Sequence, residues 1–312
     1  MTSLDEKIFG NSVSSNTVAI KDIYYGGTQA QWNSLTANKS ILINGMTVHC
    51  GYEIEDNVLV AFTGTDTDIV IPEGVTALGD NAFKDKTGIK TVKIPSTVKT
   101  VGKNLFSGCR SLTEVTLPNS IKVLSDYMFI NCRSLTTVNI PSSVTSIGRN
   151  VFHYCTSLKS VTIPNSAKTI GVELFDSCSS LESAVIPDSV TSLGGLAFYG
   201  CTNLKTVKLS KEITSIGNST FYNCTSLTSV TIPTKVKTIG TNAFKGCTGL
   251  TSITLPSSVT TVSDNAFAGD TLLKTVTIDA VSPSIKNKSA GERLLPRLAA
   301  GGVVSCLPPR RE

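Results

Sequence analysis

Residues 140–162 read IPSSVTSIGRNVFHYCTSLKSVT, and near-copies of these 23 residues precede and follow them. The opening aliphatic recurs at Ile71, Ile94, Leu117, Ile140, Ile163, Ile186, Leu209, Ile232, Leu255 and Ile278, each step being 23 residues with neither insertion nor deletion. Self-similarity at a fixed period of this length marks a solenoid, in which each unit buries its apolar side only against its neighbours. The columns of the repeat are therefore physical positions along a stack.

Twelve residues after each opening aliphatic stands a phenylalanine, from Phe83 through Phe106, Phe129, Phe152, Phe175, Phe198, Phe221 and Phe244 to Phe267, nine of the eleven in the chain. One ring per rung predicts a stacked aromatic spine, each contact adding about 0.5–1.5 kcal/mol beyond burial. Leu158, Val161 and Ile163 follow the pattern LxxVxI and precede Pro164, which suits a short strand with one buried face and a proline at its exit. Stacked in register, such strands form a parallel sheet along the solenoid. Val144 and Ile147 precede Gly148, and this glycine recurs at 79, 102, 171, 194, 217 and 240, with Ser125 and Ser263 in two units. A repeated glycine predicts either a positive φ or a close approach between rungs.

The unit IPssVtsIGxnaFxgCtsLksVt resembles the BspA-like leucine-rich repeat, also called the Treponema pallidum type, over residues 69–279. The resemblance implies a repeat solenoid, a mainly β leucine-rich repeat right-handed superhelix of about nine 23-residue rungs with a parallel sheet. It further implies a bacterial cell-surface or secreted recognition and adhesion domain, whose partners are surface or extracellular-matrix proteins of a host or neighbouring cell, or glycans. A passive spacer for another module is the alternative. The family's motif residues are structural, so the match carries over a scaffold, no catalytic residue and no cofactor.

The formal charge of +5 is unevenly placed. Residues 281–312 hold six Lys/Arg and two Glu, leaving 22 basic and 21 acidic residues for the first 280. Nucleic acid is an unsuitable partner for such repeats, because phosphate binding needs clustered positive charge. No apolar run approaches the ~20 residues of a membrane span, so membrane insertion is not expected. MTSLDEKIFG lacks the basic and apolar regions of a signal peptide, and the chain reads as a piece of something longer.

Four segments follow. Residues 1–50 form an irregular N-terminal segment, with IKDIYY at 20–25 repeating the strand spacing of an earlier repeat block and Trp32 packing as part of an irregular cap or anchoring a separate binding module. Residues 51–70 contain YEIEDNVLVAF, read as a hairpin that caps the first rung. Residues 71–280 are the solenoid. Residues 281–312 fit neither repeat nor cap and read as a basic, disordered tail.

Seven of the nine cysteines, Cys109 to Cys247, form a column three residues after the phenylalanine and three before the leucine. Small buried thiols are the expected reading; disulfides between rungs are disfavoured by parallel Cβ vectors and an odd count. Zinc on this column is disfavoured because no CxxC pair or histidine accompanies it. His49 and His153 sit in no nucleophile or metal motif, so no catalytic, cofactor or metal residues are expected. The outward strand positions are hydroxyls, Thr116, Thr162, Thr231, Thr254 and Thr277 in one column and Ser160, Thr206, Ser229 and Ser252 in another, expected to pair as a structural ladder. The position just after the phenylalanine varies most: Lys84, Ser107, Ile130, His153, Asp176, Tyr199, Tyr222, Lys245 and Ala268. Variation inside a strict repeat means the fold does not dictate that residue. Tyr199 and Tyr222, with Tyr154 nearby, His153 and Ile130, are the candidate partner contacts, of the aromatic kind favoured at interfaces.

Overall fold

The computed structural model describes residues 22–27, Gln31, Asn33, residues 47–278 and the strand Val303–Ser305. Trp32 and the rest of the basic tail lie outside the described residues.

Most rungs contribute two short strands; the second is missing at 192–193 and the first at 229–231. The first is the LxxVxI segment, as in Thr137–Asn139 and Ser160–Thr162, which pair in parallel with Val138 opposite Val161. Its middle residue is buried between two exposed ones, because successive side chains of a strand point to opposite faces. The second is a two-residue strand before the glycine column, as in Ser146–Ile147 and Thr169–Ile170, with Ile147 opposite Ile170. The register between neighbouring rungs is 23 residues throughout, so equivalent side chains lie over one another and the chain folds as a β-solenoid.

Proline begins the turn between the two strands. Its carbonyl accepts the N–H three residues on, as Val144 N–H to Pro141 and Val190 N–H to Pro187, both at 3.0 Å. The glycine column answers to close approach: Gly102, Gly148 and Gly171 have no positive φ, and a Cβ on Gly171 would lie 2.5 Å from the backbone N of Arg149 on the previous rung. Left-handed backbone occurs instead at two other columns. One holds Asn81, Asn104, Tyr127, Asn150, Glu173, Leu196, Ser219, Asn242 and Asn265; the other is the residue after the variable position, from Asp85 to Gly269. Asparagine and glycine dominate these columns because they enter that region most cheaply.

The interior is one continuous core. From Phe83 to Phe267 successive rings stack with centroids 5.1–5.7 Å apart and planes within 25°. Phe62 adds a tenth ring, 5.5 Å from Phe83. The cysteine column is buried and free, and each thiol donates to the carbonyl of the phenylalanine 26 residues earlier, as Cys155 Sγ to Phe129 O at 3.1 Å. Burial pushes these thiols up, Cys109 to about 12, which holds them as inert donors.

Tyr52–Glu55 and Val58–Phe62 form the expected antiparallel hairpin, turning at Asp56 and Asn57, both at positive φ. Its second strand pairs in parallel with Ala77–Leu78 of the first rung. Upstream, Asp22–Tyr25 pairs in parallel with Thr47–Cys50. At the other end Val303–Ser305 pairs antiparallel with Thr275–Thr277, supplying the last described rung with a further strand.

Candidate functional site

The variable column lies one residue past the buried phenylalanine, and a backbone ladder fixes it. From Ser107 to Ala268 the carbonyl of the variable residue accepts the N–H of the left-handed residue of the rung before: Asn131 to His153, Tyr154 to Asp176, Ser177 to Tyr199, Gly200 to Tyr222 and Asn223 to Lys245, at 2.7–2.9 Å. Ile130, His153, Asp176, Tyr199, Tyr222 and Lys245 therefore form a continuous row on six successive rungs. The backbone ladder is the same whatever side chain is attached, which explains why this column is free to vary.

Tyr199 and Tyr222 are stacked, with centroids 4.7 Å apart and planes 9° apart, and Lys245 Nζ lies 5.7 Å from the Tyr222 ring centre. The Tyr199 phenol is raised by partial desolvation, then by Tyr222, Asp176 and Tyr154. Tyr154 is 43 % exposed and stacks on His153 at 4.3 Å. It does so from a left-handed backbone with φ 57, where equivalent rungs carry Asp85, Asn131 or glycine. Such a residue typically costs on the order of 1 kcal/mol or more, and strain of this kind concentrates at functional sites. Four of the five candidate contacts are thus brought into one patch; Ile130 is half-buried one rung before His153 and extends the row with an apolar end.

The centre of the row is polar. His153 faces two carboxylates of the next rung, with Nε2 3.5 Å from Asp176 Oδ2 and Nδ1 3.9 Å from Glu173 Oε2. Asn150 Nδ2 donates to Glu173 Oε2 at 2.6 Å and to His153 Nδ1 at 2.9 Å, bracing both. Asp176 is buried and its carboxyl is raised, desolvation outweighing the hydrogen bond from Ser177 and the nearby imidazole. The sequence marked Asp176 only as a variable position and Glu173 not at all, because residues 20 and 23 after His153 become its neighbours only when the rungs stack.

The strand face contrasts with this row. Thr116, Thr162, Thr231, Thr254 and Ser160, Thr206, Ser229, Ser252 point outward and are exposed, as expected. The expected hydroxyl ladder is formed there only at the first rung, where Thr91 Oγ1 donates to Asp68 Oδ1 at 2.7 Å; among the described residues, most hydroxyl bonds to the preceding rung come from other positions, such as Thr113, Thr145 and Ser143. The turn hydroxyls reach the carbonyl of the rung before, as Ser166 Oγ to Val144 O and Ser189 Oγ to Ala167 O, both at 2.6 Å. No helix is long and apolar enough to cross a membrane among the described residues.

The BspA type leucine rich repeat region model matches residues 53–182 and 168–290, in six copies. Among solved structures, a leucine-rich repeat protein from Bacteroides ovatus is 25% identical with a TM-score of 0.49, covering 74% of this chain and 77% of that one. The T. pallidum leucine rich repeat protein is 24% identical with a TM-score of 0.45, over 64% and 86% of the two chains. A leucine rich cell surface protein from Faecalibacterium prausnitzii is 26% identical with a TM-score of 0.40, over 73% and 93%. No curated protein matches the sequence.

Proposed function

Because the chain belongs to the BspA-type leucine-rich repeat family, whose solenoids in general bind other proteins, we propose that it is a non-enzymatic recognition module of a bacterial surface protein. In this reading it attaches to proteins on the surface or in the extracellular matrix of a host or neighbouring cell. The observation that carries the reading is the row on the variable column, where Tyr199 and Tyr222 stack and Tyr154 stands exposed on a strained backbone. Rigid aromatic rings at the edge of a fixed scaffold supply contact area at small entropic cost, and such residues carry most of the energy at interfaces. The unbonded hydroxyls of the strand face favour glycan as a second class of ligand, since they leave donors and acceptors available.

The test is binding of the immobilised chain to purified extracellular-matrix proteins and to a glycan array, with the Tyr199→Ala/Tyr222→Ala variant in parallel. Recognition through the row predicts a bound protein whose affinity falls at least about tenfold in the variant. Glycan binding that survives the variant assigns the strand face instead. Capture of nothing by either chain means a passive spacer.

A further inference from the structure

The geometry points to a divalent transition-metal site at His153, Glu173 and Asp176, spanning two adjacent rungs. One ligand atom from each of the three side chains can be chosen so that all lie within 4.8 Å of one another, a spacing that small side-chain rotations close to metal-binding distance. The donors converge from different parts of the repeat: His153 and Asp176 from the variable column, Glu173 from the left-handed column three residues before Asp176.

Two further observations point to a cation. The Asp176 side chain is largely buried, and while Oδ1 accepts from Ser177, Oδ2 has the His153 imidazole, at 3.5 Å, as its partner. Neither carboxylate is within ion-pairing distance of a lysine or arginine among the described residues; His153 is their common partner. Some carboxylates elsewhere on the solenoid are met by a basic side chain from a neighbouring rung, as Glu182 by Lys205 and Asp126 by Lys103 and Arg149. Glu173 also holds φ 59 in a column where five of nine rungs carry asparagine, so a carboxylate stands here against backbone preference.

One imidazole nitrogen and two carboxylate oxygens suit an ion of the zinc type. Three ligands are too few for calcium, which takes six to eight oxygens, and magnesium keeps most of its water. Asn150 Nδ2 holds Glu173 Oε2 from behind, as outer hydrogen bonds do around metal ligands. Its contact with His153 Nδ1 belongs to the tautomer with the proton on Nε2, and an ion on Nε2 moves that proton to Nδ1 and turns the Asn150 amide oxygen toward it. The ion would tie one rung to the next and retain an open position toward solvent.

The test is isothermal titration of the full chain, freed of metal by chelator and dialysis, with zinc chloride, alongside thermal unfolding. One equivalent should bind with a dissociation constant below about 0.1 mM and raise the unfolding midpoint, and magnesium chloride should do neither. His153→Gln and Asp176→Asn should each weaken binding at least about tenfold, while Cys50→Ala, which removes a half-buried thiol elsewhere, should leave it intact. Absence of zinc binding would overturn the site in favour of a plain imidazole–carboxylate pair, as would binding that both His153→Gln and Asp176→Asn retain.

Discussion

Phe198 and Tyr199 are consecutive in the chain, yet they belong to columns under opposite constraints. The phenylalanine column is the same in nine rungs, because each ring must meet the ring above and the ring below at 5.1–5.7 Å. The next column carries seven residue types in the same nine rungs, because only its carbonyl is used by the stack. A repeat protein thus separates what folds from what is free to recognise by a single residue step. The central rungs, where the outer column turns aromatic and ionic, are where the free side is most specialised.

The largest effect should come from inside. Phe152→Ala removes a ring with neighbours on both sides and should cost about 3–5 kcal/mol in chemical denaturation. A variant within a degree of the wild-type melting point would mean that the ring column is not the core. Gly171→Ala should follow at about 1–3 kcal/mol, since its Cβ would meet the backbone of Arg149, which cannot rotate away.

The third prediction compares the ends of the cysteine column with its middle. In the last full rung Asp270 takes the cysteine position, with Oδ1 accepting the Cys247 N–H at 2.9 Å and Oδ2 buried without a partner among the described residues. Burial pushes this carboxyl up to about 8. The folded state therefore prefers the neutral form, and the stability it contributes is complete below about pH 4 and is lost as pH rises through about 8. The melting point should fall between about pH 5 and pH 9, and Asp270→Asn should flatten that slope. A slope unchanged in Asp270→Asn would assign the titration to another group.

The smallest effect belongs to the outer side. Tyr154→Asn places at φ 57 a residue that neighbouring rungs use there, and should raise stability by roughly 0.5–1 kcal/mol while losing the stack on His153. A loss of stability would show that the ring stack outweighs the backbone strain.

The solenoid was legible because a strict 23-residue period turns sequence columns into stacked positions, so strands, spine and thiol column could all be read directly. Phe62 escaped that reading because it lies 21 residues before Phe83, on the hairpin and out of period. The glycine column announced a backbone constraint and left its kind open, since close approach and positive φ select the same residue; asparagine at 81, 104, 150, 242 and 265 was the sequence signal for the left-handed column. Variation marked Tyr199 and Tyr222 as free positions. It could not place Glu173 and Asp176 around His153, because that neighbourhood exists only across rungs, and it could not distinguish outward hydroxyls that bond from those that do not.

The most direct test of this division is thermal and chemical unfolding of four single variants on two adjacent rungs, Phe198→Ala, Tyr199→Ala, Phe221→Ala and Tyr222→Ala. Each phenylalanine variant should lose about 3–5 kcal/mol and each tyrosine variant no more than about 1 kcal/mol, the worth of one partly exposed ring stack. Tyrosine variants as destabilised as the phenylalanine variants would make the outer row part of the fold and remove it as a recognition surface.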